Sequence, residues 1–145
     1  MDCQANIQEV YTIPCPTVTQ EWIHNMFTDV IENQTADEEA VSQYFSKDFV
    51  QYVNGHTLNY DDFVEHIRAL KAAIHSVKYT IERCMIQGNS FFTIHRVDAI
   101  NNKGEEVIAR IIAYFEVKEG KIVLCDEMTK LLAGSKEEED LGSRK

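Results

Sequence analysis

Two stretches in the second half of the chain carry the residue types that could do acid–base chemistry. His95, Arg96 and Asp98 interrupt a run that begins Phe91-Phe92-Thr93-Ile94, and Asp126 and Glu127 follow Ile122-Val123-Leu124-Cys125. An ionised side chain is costly to bury alone, so such residues are paired, protonated or turned toward a cavity. Their placement predicts a sheet that lines a pocket.

Strand alternation puts Arg96 and Asp98 on one face with Phe92 and Ile94, their α-carbons about 6.5–7 Å apart. An arginine beside an aspartate holds the carboxylate ionised, and in a cleft that carboxylate can take a proton from water or from a carbon next to a carbonyl. His95 falls on the opposite face with Phe91, Thr93 and Val97, and an imidazole titrates near neutral pH as either acid or base. Both faces are apolar, so alternation leaves open which of them carries the pocket. Later in the chain Glu127 shares a face with Val123 and Cys125. Asp126 shares the other with Ile122 and Leu124 and is assigned to solvent or a dimer edge. In an earlier strand Val50, Tyr52 and Asn54 alternate onto one face. Each has a plainer reading: Asn54 as a turn residue before Gly55, Tyr52 and His95 as packed core, Arg96 and Asp98 as an exposed surface pair. His24, His56, His66 and His75 are scattered without ligand spacing, although His66 is placed to reach a cavity rim. There is no metal motif, phosphate-cradling glycine loop or nucleophile elbow, and no cofactor is expected.

The elements that must hold these groups are legible from periodicity. Val18, Trp22, Met26 and Val30 recur every four residues beside Ile23, Phe27 and Ile31, which predicts one long helix capped near Thr17 or Thr19. Asn33-Gln34-Thr35 ends it, and Thr35 with Glu38 reads as a capping box for a short second helix through Val41, Tyr44 and Phe45. Phe49 to Val53 is strand-like and Asn54-Gly55 is a hairpin dipeptide. Asn59 caps a third helix on which Phe63, Ile67, Leu70 and Ile74 form the apolar stripe. Four strands follow, at roughly 76–87, 90–101, 106–118 and 121–130, joined by short turns and so antiparallel. The fold class is α+β, three N-terminal helices and then a long curved antiparallel sheet. Helices cover one sheet face. The other is apolar as well, since Val107, Ala109, Ile111, Ala113, Phe115 and Val117 alternate with Ile108, Ile112 and Tyr114, and a sheet apolar on both sides predicts a homodimer through the outer face.

At 145 residues the chain suits one domain, expected over 18–134, with an extended arm at 1–17 and a polar acidic tail at 135–145. A net charge of −10 argues against nucleic acid, which needs clustered Lys and Arg. No apolar run approaches the length of a membrane helix and no leader pattern opens the chain, so no membrane contact and a cytoplasmic location are expected. The four cysteines, Cys3, Cys15, Cys84 and Cys125, lack C-x-x-C spacing and read as reduced thiols, with no metal bound.

Phe45-Ser46-Lys47-Asp48-Phe49 enters the first strand, and Phe115-Glu116-Val117-Lys118-Glu119-Gly120-Lys121-Ile122-Val123 precedes the acidic pair. In this wording and in its order of elements, the chain resembles the nuclear transport factor 2-like superfamily, and within it the SnoaL-like group, from Val18 to Gly134. The resemblance implies a cone, a cystatin-like roll whose sheet wraps the first helix and leaves an apolar pocket at the open end. Tyr-x-Asn, Arg-x-Asp and a late carboxylate are similar to limonene-epoxide-hydrolase-like members. That likeness implies Asp98 as base, Tyr52 and Asn54 holding the attacking water, Arg96 bridging two carboxylates and Glu127 as acid. The chain departs from the pattern with Glu127 in place of Asp and Cys125 in place of an aromatic. Catalytic candidates are therefore Asp98, Glu127, Arg96 and His95, and ligand-binding candidates are Tyr52, Asn54, Cys125 and Trp22. The function expected is a small-molecule pocket protein, a cofactor-free isomerase, cyclase or hydrolase acting on an apolar carbonyl or epoxide compound. The alternative is a non-catalytic, dimeric ligand-binding or protein-interaction module.

Overall fold

The computed structural model describes residues 18–134. The expected arm and acidic tail, and Thr17 as a cap, lie outside the described residues. The chain forms helix α1 (Gln20–Met26), a π-helical segment (Phe27–Glu32), α2 (Glu38–Tyr44), β1 (Phe45–Val53), β2 (His56–Asn59), α3 (Tyr60–Ala73), β3 (Ile74–Gln87), β4 (Ser90–Asn101), β5 (Glu106–Lys118) and β6 (Lys121–Ala133). The six strands make one sheet in the order β2-β1-β6-β5-β4-β3. Every pairing is antiparallel except β1 with β6, which run parallel. Register shifts at Glu82 in β3 and at Val123 in β6, the latter opposite Glu116/Val117, are the kind of bulge that bends a strand and lets a sheet wrap.

Local chemistry explains where the helices begin. Thr19 caps α1 by accepting from the Trp22 N–H at 3.0 Å. Asn59 and Asp62 form a reciprocal capping box at the start of α3, with bonds of 2.9 and 3.2 Å. For α2 the expected cap, Thr35, lies two residues early. Asp37 is the cap, accepting from the Glu39 N–H at 3.0 Å, while Thr35 spends its hydroxyl on Asn33 Oδ1 at 2.8 Å. A carboxylate at a helix start outcompetes a hydroxyl because it also meets the positive end of the helix dipole.

The first helix does not stay α-helical along its length. From Phe27 it widens into π-helical turns, closed by Asn33 N–H to Thr28 carbonyl at 3.0 Å. The anchors come from outside it. Lys71 donates to the carbonyls of Val30 and Ile31, at 3.0 and 2.6 Å. Tyr79 Oη sits 3.0 Å from Thr28 Oγ1 and donates to the His24 carbonyl at 2.8 Å. Carbonyls satisfied by side chains need no α-helical partner.

The core lies between the helices and the inner sheet face. Ile23, Met26 and Phe27 pack toward Phe91 and Phe115, whose rings stack at 4.4 Å, while Phe45, Phe49 and Phe63 form an edge-on cluster at 4.7–4.9 Å. Each such side chain contributes roughly 1.5–3 kcal/mol gross on burial. Trp22 belongs to this packing. Its ring centroid lies 5.6 Å from that of Tyr44 and 6.3 Å from that of Phe91, and it is not among the residues lining the cavity, which corrects its place among the ligand-binding candidates.

Candidate functional site

The sheet and helices enclose a cavity of about 170 Å³, bounded by α1, the π-helical segment, α3 and the inner faces of β1 and β3 to β6. One water needs about 10–15 Å³ of such space, so there is room for a small organic molecule. Most of the wall is aliphatic or aromatic. Its polar members are Gln51, His66, Lys71, His95, Glu127 and Thr129, with the exposed Gln34 at the mouth.

Strand parity decides which candidates enter. On β4 the inward row is Phe91, Thr93, His95, Val97 and Ala99; Phe92, Ile94, Arg96 and Asp98 form the outward row. Arg96 and Asp98 therefore do not reach the cavity. They pair with each other on the outer surface through Nε and Nη2 contacts of 3.0–3.1 Å, each side chain 40% exposed. Tyr52 is likewise turned outward and 44% exposed. Asn54 sits in the β1–β2 turn with φ 48°, and its Oδ1 accepts from the Thr129 N–H at 3.0 Å, so it fastens the hairpin to β6. The pair of carboxylates bridged by arginine, with a water held by Tyr52 and Asn54, is thus not assembled. The cause is parity: on each of these strands the residue one step away fills the inward position. Asp126 is exposed, while Glu127 and Cys125 point inward.

The deep polar cluster is built from β1 and β6. Because these strands run parallel with Gln51 opposite Cys125 and Val53 opposite Glu127, the Gln51 amide lands beside the Glu127 carboxyl. Gln51 Nε2 donates to Glu127 Oε1 at 2.9 Å, the Cys125 thiol reaches the same oxygen at 3.4 Å, and Thr129 Oγ1 donates to Oε2 at 3.3 Å. Burial pushes the Glu127 carboxyl up from its ordinary value, and these three donors only partly oppose that. Burial and the neighbouring Glu127 push the Cys125 thiol well up, so it remains a thiol and a weak donor. The Gln51 Oε1 is buried with no hydrogen-bond partner among the described residues.

His95 faces the cavity from β4. Its Nδ1 lies 2.9 Å from Thr93 Oγ1 and its ring packs on Phe27 at 4.6 Å, leaving Nε2 without a partner among the described residues. Burial pushes its pKa down from 6.5 to about 4, against a weak opposing pull from Glu82, so the ring is neutral at physiological pH. Glu127 pairs with Ala113, which pairs with Thr93, so His95 is two strands over and two residues along. That separates the two α-carbons by about 12 Å on a flat sheet, leaving room for a small molecule between the inward-pointing side chains.

A sequence model of the SnoaL-like domain matches residues 23–125. The chain belongs to the SnoaL-like family. A curated relative, the uncharacterized protein C11D3.04c of Schizosaccharomyces pombe, is 32% identical over 125 residues, covering 86% of this chain and 95% of its own. Among solved structures, an M. tuberculosis LEH-like epoxide hydrolase superposes with a TM-score of 0.61 at 17% identity, over 74% of this chain and 79% of that one. An NTF2-like protein of unknown function from Exiguobacterium sp. 255-15 gives 0.61 at 18% identity, over 74% and 97%. At such identities the likeness is one of fold, the α+β cone. Among the described residues of this SnoaL-like domain no three His, Cys, Asp or Glu side chains are grouped to hold a metal ion, and no helix is long and apolar enough to cross a membrane.

Sequence reasoning missed Gln51, Lys71 and Thr129 as cavity residues. Two signals were available: Gln51 shares the parity of Phe49 and Val53, and Lys71 follows Ile67 by four residues on the stripe of α3.

Proposed function

We propose that this SnoaL-like domain is a cofactor-free proton-transfer enzyme acting on a small, mostly apolar carbonyl compound. The observation that carries the reading is Glu127, a carboxyl with a raised pKa on the wall of a mostly apolar cavity. A carboxyl of that kind is a stronger base than one in water when ionised, and a ready proton donor afterwards. In the proposed step Glu127 takes the proton from the carbon next to the carbonyl, and the electron pair moves onto the oxygen as an enolate. Neutral His95, with Thr93 Oγ1 donating to Nδ1, presents Nε2–H to that oxygen. Glu127 then returns the proton to the same or a neighbouring carbon. Gln51 and Thr129 hold the carboxyl in place throughout.

The test is proton exchange. Simple cyclic ketones and enones are incubated with the protein in heavy water, and loss of the α-proton signal is followed by NMR. Wild type is expected to speed exchange and Glu127→Gln to abolish that effect, with the melting temperature nearly unchanged because the Gln51 amide can still donate to the new side chain's oxygen. Exchange no faster than in buffer, or undiminished in the variant, refutes the reading.

The non-catalytic alternative is favoured by one observation. Glu127 already accepts three hydrogen bonds, as a purely structural carboxyl would. It predicts ligand binding with no exchange. On either reading we propose that a second copy of the chain covers the outer sheet face. There Met85, Phe92, Ile112 and Met128 are 49–74% exposed on adjacent strands, an apolar patch flanked by the Arg96–Asp98 and Arg110–Glu82 pairs.

A further inference from the structure

The mouth of the cavity carries a cation with no counter-charge. Lys71 lines the cavity from the last turn of α3, beside Ile31 and Gln34. Two of its ammonium hydrogens are taken by the carbonyls of Val30 and Ile31. A lysine has three donors, so one remains. No carboxylate pairs with it among the described residues, where burial is the one influence acting on its ammonium's pKa, and carboxylates such as Glu38, Glu65, Glu82 and Asp98 are engaged with Lys47, Arg68, Arg110 and Arg96. Glu32, the nearest acidic residue in sequence on the adjoining segment, is engaged with the Tyr79 N–H at 2.9 Å. In a chain of net charge −10, a half-buried lysine left unpaired on an apolar wall is conspicuous.

The position is also set apart from the deep cluster. Ile74, which follows α3, pairs with Asn101 at the far end of β4, so Lys71 stands near the Ala99 end of that strand. From His95 to Ala99 is four residues, about 13 Å of strand. The wall between is hydrocarbon, formed by Val97, Ala109, Val77 and Ile31. Along this wall the cavity is polar at both ends and hydrocarbon between them.

We propose that Lys71 is an anion-recognition site, and that the natural ligand is an apolar acid whose carboxylate meets the Lys71 ammonium at the mouth while its hydrocarbon body fills the cavity. The inference rests on the reading of the cavity as a small-molecule site and names the class of molecule. The ammonium is pre-positioned by two backbone carbonyls, so little side-chain freedom is lost when an anion takes the third donor. Burial alone lowers the Lys71 pKa, to about 8, which still leaves it a cation at neutral pH and in want of a partner.

Octanoate and 1-octanol share a hydrocarbon chain and differ in charge, so their binding is compared by isothermal titration calorimetry at neutral pH. Wild type is expected to bind octanoate at least about tenfold more tightly, the scale of a charge-assisted hydrogen bond. Lys71→Met should remove that preference, with circular dichroism checking that the variant is folded because the substitution frees the Val30 and Ile31 carbonyls, and Lys71→Arg should retain it. Octanol binding without a preference for octanoate in wild type, or a preference that survives Lys71→Met, overturns the inference and leaves the cavity reading intact. Failure of both compounds to bind overturns the two together.

Discussion

The neutral state of His95 makes a quantitative claim about acid stability. Its pKa falls from 6.5 in the open chain to about 4 in the fold because the ring is 6% exposed and packs on Phe27. Above pH 6.5 neither state holds the proton. Below it the unfolded chain takes the proton up and the buried ring does not, so stability falls until pH reaches about 4 and then levels. At about 1.4 kcal/mol per tenfold change in proton affinity, the full loss is about 3 kcal/mol, most of it spent by pH 4.5. Glu127 works in the opposite sense, since its raised pKa lets the folded state hold a proton the unfolded chain has lost, and so favours the fold as pH drops. Comparison with His95→Gln removes that contribution. Urea denaturation followed by circular dichroism at steps between about pH 7.5 and 4.5 should show the gap between the two proteins shifting by about 2–3 kcal/mol, with wild type losing more. Curves that stay parallel within about 0.5 kcal/mol would mean that the ring is hydrated in the native state, and the account of His95 as a neutral donor would fall with them.

Further outcomes follow from the same geometry. Asp98→Asn should leave ligand binding and α-proton exchange unchanged and shift stability by less than about 1 kcal/mol, because the pair it breaks is solvent-facing; a loss of exchange in the NMR assay would return Asp98 to the site. On the proposed dimer, wild type should run as a dimer by size exclusion with light scattering, and Ile112→Lys with Met128→Lys, at two cross-strand neighbours on the outer face, should run as a monomer; a monomeric wild type refutes the proposal. Asn59→Ala removes the α3 cap and should lower stability by about 1 kcal/mol in urea denaturation, without altering the octanoate-to-octanol preference.

The order and type of the elements were readable because their signals are local. Asn59 three residues before Asp62, Asn54 before Gly55, and the apolar stripes of the helices each depend on a few neighbouring residues. The inward face of the sheet was not readable, and for a definite reason. Phe92, Ile94 and Ile112 are as apolar as Phe91, Val97 and Ile111, so a period-two pattern cannot say which row is inside. The Arg96–Asp98 doublet illustrates the ambiguity. Two opposite charges two residues apart satisfy each other on the outer surface and need no cavity. Gln51 beside Glu127 was beyond reach for another reason: their contact depends on β1 and β6 running parallel across a separation of 76 residues.

That parallel pairing has a bearing on how the protein is made. The last of the six strands in chain order is an interior strand, lodged between the first and the fifth. Until it docks, two long strand edges stand open to any other chain, and the compartment has no carboxyl and no floor beneath Cys125. Nascent or truncated chains ending before Lys121 are accordingly an aggregation hazard, and closure must wait for contacts between opposite ends of the domain, the kind that form slowly. Glu127 therefore enters the cavity only once β6 has docked beside β1.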